Sequence, residues 1–132
     1  MKTIMRSVLV WVAVVLAGCA TTTAELTSRT DNMMTWVVAA PLEDVFKAYK
    51  GHADQYFNGT TGLLGDGYHT AGYFYGDNAE LTIHTIGNPL ANITWLHFDL
   101  RQQGGATAVT AWYYNEPWKR NIERFQGLFP DQ

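Results

Sequence analysis

Asn92-Ile93-Thr94-Trp95-Leu96-His97-Phe98-Asp99-Leu100-Arg101-Gln102-Gln103-Gly104-Gly105-Ala106-Thr107-Ala108-Val109-Thr110-Ala111-Trp112-Tyr113-Tyr114 is the stretch that decides the fold. Two runs rich in β-branched and aromatic residues flank a Gly-Gly pair, the pattern of two antiparallel strands joined by a two-residue turn. With Gly104-Gly105 as that turn, Leu100 stands opposite Val109, Phe98 opposite Ala111 and Leu96 opposite Tyr113 on one face of the sheet. That face is apolar. The other face then carries Asp99 opposite Thr110, His97 opposite Trp112 and Trp95 opposite Tyr114, an aromatic surface with two ionisable groups. Trp95, His97, Asp99, Trp112 and Tyr114 are therefore the candidate ligand contacts, since aromatic bodies with a few polar tips suit a partly apolar molecule. The same residues also suit packing beneath a helix, with His97 and Asp99 at the wet margin.

Outward from this hairpin, further strands are predicted at about His69 to Tyr75 and Glu80 to Ile86, with Gly76-Asp77-Asn78 and Gly87-Asn88-Pro89 as separators short enough to make neighbours antiparallel. Met33-Met34-Thr35-Trp36-Val37-Val38-Ala39 reads as one more strand, ended by Ala40-Pro41. Leu42, Val45, Phe46 and Tyr49 then recur at spacings of three and four, the stripe of an amphipathic helix with Pro41 at its first position and Gly51 at its exit, followed by His52 to Phe57 as a further short turn of helix. The clearest helix runs from Pro117-Trp118 to Phe129, with Trp118, Ile122, Phe125, Leu128 and Phe129 on one side and Lys119, Arg120, Glu123 and Arg124 on the other. The expected class is α+β, an antiparallel sheet of about five strands packed by one helix in the amino-terminal half and one at the carboxy end.

The amino terminus reads as an export signal. Lys2 and Arg6 precede an apolar run from Val8 to Ala17, too short to span a bilayer, which needs about 20 such residues. The run ends in Leu16-Ala17-Gly18-Cys19, which resembles the lipobox of bacterial lipoproteins. That resemblance implies cleavage after residue 18, lipidation of Cys19, and a bacterial envelope protein held to a membrane by acyl chains; Ala20, which is not acidic, implies the outer membrane rather than the inner. Cys19 is also the single cysteine of the 132 residues, so it has no disulfide partner. Residues 19–32, Thr-rich and without an apolar period, read as a tether that reaches up to about 40 Å when stretched. Residues 33–132 are then one globular domain.

Composition limits the functions. The chain is 47% hydrophobic, 14% aromatic and 16% charged, which excludes a disordered segment or a disulfide-stapled miniprotein. Without Lys2 and Arg6, seven Lys and Arg face twelve Asp and Glu, a formal charge of −5 that argues against nucleic acid or an anionic lipid surface as partner. Lys119, Arg120 and Arg124 read as a solvated helix face.

Catalytic signals are thin. His52, His69, His84 and His97 show no HxxxH or HxH spacing, so a metal site would have to be assembled across strands, and no cofactor is expected. Ser28 is the only serine after the signal, and there is no Gly-x-Ser-x-Gly. His97 and Asp99 share a strand face, yet lack a nucleophile in a motif. Gly59, Gly62, Gly65 and Gly67 punctuate a loop but lack the Gly-Lys-Ser/Thr of a phosphate cradle.

The order strand, helix, antiparallel strands, closing helix is similar to a reduced START-like (Bet v 1-like, helix-grip) domain. Val37 through Phe46 resembles the strand-into-helix opening of that superfamily, and Gly104 through Thr110 its glycine turn and following strand. The closing helix is short for roofing a cavity, spanning about 20 Å. The expected function is a noncatalytic, lipid-anchored envelope protein that binds a small apolar ligand or a protein on its aromatic sheet face or in a sheet-helix groove. The alternative is a structural or assembly accessory of an envelope complex.

Overall fold

The computed structural model describes residues 22–60, 67–86 and 93–130. Cys19, Ala20, Gly62, Gly65 and the Gly87-Asn88-Pro89 separator lie outside these residues. The elements run α1 (Thr23–Thr27), β1 (Met33–Val38), α2 (Leu42–Tyr56), β2 (Gly59–Thr60), β3 (Gly67–Phe74), β4 (Asn78–Ile86), β5 (Thr94–Gln103), β6 (Ala106–Tyr113) and α3 (Glu116–Gln126). The strands form one sheet in the order β1-β6-β5-β4-β3-β2, every neighbouring pair antiparallel. This is the expected α+β class, with five long strands and the two-residue β2 added at one edge.

The deciding hairpin has the expected register. Leu100 pairs with Val109, Phe98 with Ala111 and Leu96 with Tyr113, and Gly104 takes a φ of 62°, the left-handed value that favours glycine in so tight a turn. Leu81, Ile83, Leu96, Phe98, Leu100, Val109 and Ala111 are buried on this face. Against it lie Leu42, Val45, Tyr49 and Ala53 of α2 and Trp118, Ile122 and Phe125 of α3. Phe98 is the keystone, its ring 4.7 Å from that of Phe125 and 5.6 Å from that of Tyr49. Burial pushes the Tyr49 hydroxyl up to about 12, although Trp36 Nε1 donates to it at 3.3 Å.

The helices differ from expectation at their ends. α2 does not stop at Gly51 but continues to Tyr56, where the Phe57 N–H reaches the Ala53 carbonyl at 2.7 Å. A helical glycine is unfavourable by about 1 kcal/mol, which the burial of Ala53 and Phe57 and the Lys50–Asp54 ion pair at 2.7 Å outweigh. Pro41 is the N-cap of α2 rather than its first residue. α2 also comes close to β3 at Gly72, where an added Cβ would lie 3.1 Å from the Lys50 and Phe46 side chains. Pro117 sits in the first turn of α3 as expected, while Leu128 is exposed rather than part of the buried stripe.

The largest departure is at the amino-terminal end, where residues 22–32 are not a free tether. Thr22 caps α1 through its hydroxyl, which accepts from the Glu25 N–H at 3.2 Å, and Leu26 is fully buried. α1 lies against β5 and β6, with Thr23 and Thr94 sharing a hydroxyl hydrogen bond of 3.1 Å. Asn32 then stitches the segment to the end of β6, its carbonyl accepting from the Tyr113 N–H at 3.1 Å and its amide donating to the Tyr114 carbonyl at 3.2 Å.

Candidate functional site

The five candidate residues do not share one surface. Between β4 and β5 the register slips, so that Ile83 faces Leu96 while His84 faces Thr94, leaving Trp95 as an extra residue. This is a β-bulge, which places two consecutive side chains on nearly the same side of a strand and re-aims one of them. Trp95 therefore turns to the helix-covered side. Its ring stacks at 5.5 Å on Trp118 of α3 and lies 6.4 Å from Tyr68, and its Nε1 donates to Thr85 Oγ1 at 2.7 Å. The expectation that Trp95 joins His97 and Trp112 on the second face is corrected. Tyr114 follows Trp95, with ring centres 4.9 Å apart and its N–H donating to the Trp95 carbonyl at 3.0 Å, while Arg29 lies 5.8 Å from the Tyr114 ring.

His97, Trp112 and Asp99 remain on the second face. His97 pairs with Trp112 across the strands, the rings 5.8 Å apart. His97 is buried and shares a 2.8 Å hydrogen bond between its Nδ1 and Thr82 Oγ1. Burial holds His97 below the usual histidine range, against the opposing charges of Glu80 and Asp99, so the imidazole is neutral at pH 7. Trp112 Nε1 is buried with no hydrogen-bond partner, and such an orphan donor costs about 1–3 kcal/mol. Asp99 is 22% exposed and accepts from Arg101 Nε at 3.3 Å, which ties the carboxylate along its own strand rather than to His97. The His97–Asp99 pair therefore lacks the contact that would orient an imidazole for catalysis.

α1 covers part of this second face. Thr94 shares the side of the sheet on which His84 lies, opposite to the buried Ile83, and the Thr23 hydroxyl reaches it there. Leu26 stands outside the core cluster that α2 and α3 build, so its burial comes from this second packing. Beyond α1 the face is more open, with Thr35, Val37, Arg101 and Tyr73 exposed and Thr110, Glu80 and Thr82 half-buried.

Two groupings escaped the sequence reading. Tyr73, Phe74 and Tyr75 are 57%, 45% and 58% exposed at the β3–β4 turn, and Phe74 lies 5.6 Å from the ring of Phe46. The signal was an aromatic run immediately before Gly76-Asp77, which a hairpin leaves at its tip. His69 and His84 are partners across β3 and β4 with ring centres 5.1 Å apart. Burial, and then the charge of His69, holds His84 below the usual range. Their signal was the same turn, because pairing outward from it brings positions 69 and 84 opposite each other.

Two further titratable groups, Asp54 and His52, lie on α2. Thr70 donates to Asp54, which also accepts from Lys50 at 2.7 Å. Burial alone would raise the Asp54 carboxyl, but these two hydrogen bonds and the charges of Lys50 and His69 bring it below the usual range. His52 packs between Tyr56 and Phe125, each 4.7 Å away, and burial, then Arg124, lowers it.

Among the described residues no group of three or more His, Cys, Asp or Glu converges as a metal site, and no helix is long and apolar enough to cross a membrane. Comparison with protein-family models, with curated proteins and with solved structures finds no match.

Proposed function

We propose that this chain is a noncatalytic, lipid-anchored protein of the bacterial envelope, held through Cys19 and presenting the β3–β4 hairpin tip to a protein partner. The observation that carries the docking surface is the consecutive exposure of Tyr73, Phe74 and Tyr75. Aromatic side chains are enriched in protein interfaces, where each removes much apolar surface from water at small entropic cost. The tip lies at the opposite end of the sheet from α1. Strand β5, ten residues long, separates Thr94 beside α1 from Gln102, whose N–H donates to the Asp77 carbonyl at the tip at 2.9 Å. Eight residue steps at about 3.3 Å each put the two about 26 Å apart.

The anchor geometry follows from covalent lengths. From Cys19 to Thr22 the chain spans at most about 11 Å, so with α1 docked the acyl chains hold the Thr94 end of the sheet close to the lipid surface. The tip then points away, toward the compartment the protein faces. The Leu16-Ala17-Gly18-Cys19 run and the lack of a disulfide partner for Cys19 support the anchor; Ala20 supports the outer membrane. The order strand, helix, strands, helix that follows α1 supports the START-like reading. A small apolar ligand is the second reading, favoured by the orphaned Trp112 Nε1 beside His97, where a ligand carrying one acceptor atom would satisfy that donor.

One experiment separates these readings. A photo-crosslinking amino acid at Tyr75, compared with one at Val37, is activated in native membranes, and the protein is recovered for mass spectrometry of residue 19 and of whatever travels with it. The proposal predicts an acylated Cys19 and a defined protein adduct from position 75 only. An unmodified Cys19, or equal adducts from both positions, contradicts it, and a noncovalent apolar small molecule lost on Trp112→Phe transfers the assignment to the second reading.

A further inference from the structure

We propose that His69 and His84 form an open two-imidazole site for a borderline divalent metal ion, binding Cu2+ more tightly than Zn2+, on the sheet face turned away from α2 and α3. The sequence shows no metal-binding spacing; the pairing of β3 with β4 supplies it. The two residues are cross-strand partners, so their side chains leave the sheet on the same face, and that face is opposite to the one on which the neighbouring Ile83 is buried. The decisive quantity is the 5.1 Å between ring centres. An imidazole nitrogen binds these ions at about 2.0–2.1 Å with the ring centre about 1.1 Å further back; at a tetrahedral angle the two centres are then about 5 Å apart. The observed separation therefore needs rotation about the side-chain torsions and no movement of the strands.

The surroundings suit an ion that exchanges with solvent. His69 is exposed and His84 half-buried, which provides an entry path, and the paired backbone fixes both Cα positions in advance of binding. No third His, Cys, Asp or Glu converges on the pair among the described residues, so the remaining coordination positions fall to water or to an external ligand. Two imidazoles and oxygen ligands select Cu2+, Ni2+ and Zn2+ over the hard ions Mg2+ and Ca2+, and within that group Cu2+ binds most tightly. The other two histidines are placed differently: His97 Nδ1 is engaged by Thr82, and His52 is enclosed by Tyr56 and Phe125.

The test titrates the full chain in detergent micelles with zinc chloride and reads the imidazole nitrogens by NMR, with copper chloride affinity measured in parallel by calorimetry. One equivalent of Zn2+ is expected to shift the His69 and His84 signals and leave those of His52 and His97 in place. His69→Gln and His84→Gln should each weaken both ions by at least about tenfold, since one imidazole loses the chelate. His69 is exposed, so His69→Gln keeps the fold even if His84→Gln disturbs the bulge. Unshifted His69 and His84 signals at saturating Zn2+, or unchanged affinity in His69→Gln, would overturn the proposal.

Discussion

The two faces of the sheet are held by different means. On one, Phe98, Tyr49 and Phe125 interlock with centre distances of 4.7 to 5.6 Å under two helices of fifteen and eleven residues. On the other, among the described residues, a five-residue helix contributes one fully buried side chain, Leu26, and one side-chain hydrogen bond to the sheet, Thr23 to Thr94. A helix that short has no stability of its own, so its place depends on those contacts. The first face carries the fold; the second carries a cover that opens at a smaller free energy than global unfolding.

The comparison breaks first at Phe98. Phe98→Ala leaves a cavity between both helices and the sheet and should destabilise the protein by about 3–5 kcal/mol, read as a lower denaturant midpoint; a loss under about 1 kcal/mol would place the core elsewhere. Leu26→Ala should lower stability by about 2 kcal/mol, the low end for such truncations because α1 alone is released, read as a lower denaturant midpoint. Acidification comes next. His52, His84 and His97 are all held below 6.5 by burial, with Arg124 adding to the effect on His52 and His69 to that on His84. Below about pH 6.5 the unfolded chain binds protons that the folded chain refuses, so stability is full above that pH and declines as pH falls. The thermal midpoint should drop between pH 7.5 and 5, and a rise over that window would contradict the buried neutral histidines. Thr70→Val, which removes a donor from Asp54, should lose about 1 kcal/mol. Smallest in stability is the tip: Tyr73→Ser with Tyr75→Ser should change the unfolding free energy by less than about 0.5 kcal/mol while abolishing the proposed position-specific protein adduct.

The legible and illegible parts of the sequence divide on physical grounds. Gly104-Gly105 announced its turn, and a turn of two residues leaves one register, so the pairing of Leu96 through Gln103 with Ala106 through Tyr113 was readable in full. The bulge at Trp95 was not read, because alternation counted back from the turn assumes that no residue is extra. Its trace was present: Trp95-Leu96 are two large apolar residues in succession, an interruption of strict alternation. α1 was missed for a similar reason. A span with a single apolar anchor has no period, yet Thr22-x-x-Glu25 is the pattern of a capping box, and the Thr22 hydroxyl does accept from the Glu25 N–H. Gly51 misled in the opposite direction, its weak local preference overridden by the packing of the turn beyond it. Of the candidate site, His97 and Trp112 stayed together because they lie on the readable side of the bulge.

The amino-terminal segment is docked against the second face through Leu26 and the Thr23–Thr94 hydrogen bond, and both the proposed anchor geometry and the proposed partner surface depend on that docking. Disulfide trapping tests it most directly. In a Cys19→Ala chain carrying Thr23→Cys and Thr94→Cys, the hydroxyl separation of 3.1 Å predicts one intramolecular disulfide on mild oxidation in the folded protein, read by mass spectrometry as the loss of two hydrogens. Two free thiols, alkylated as fast as in the denatured chain, would show that α1 does not rest on β5 and would contradict the account.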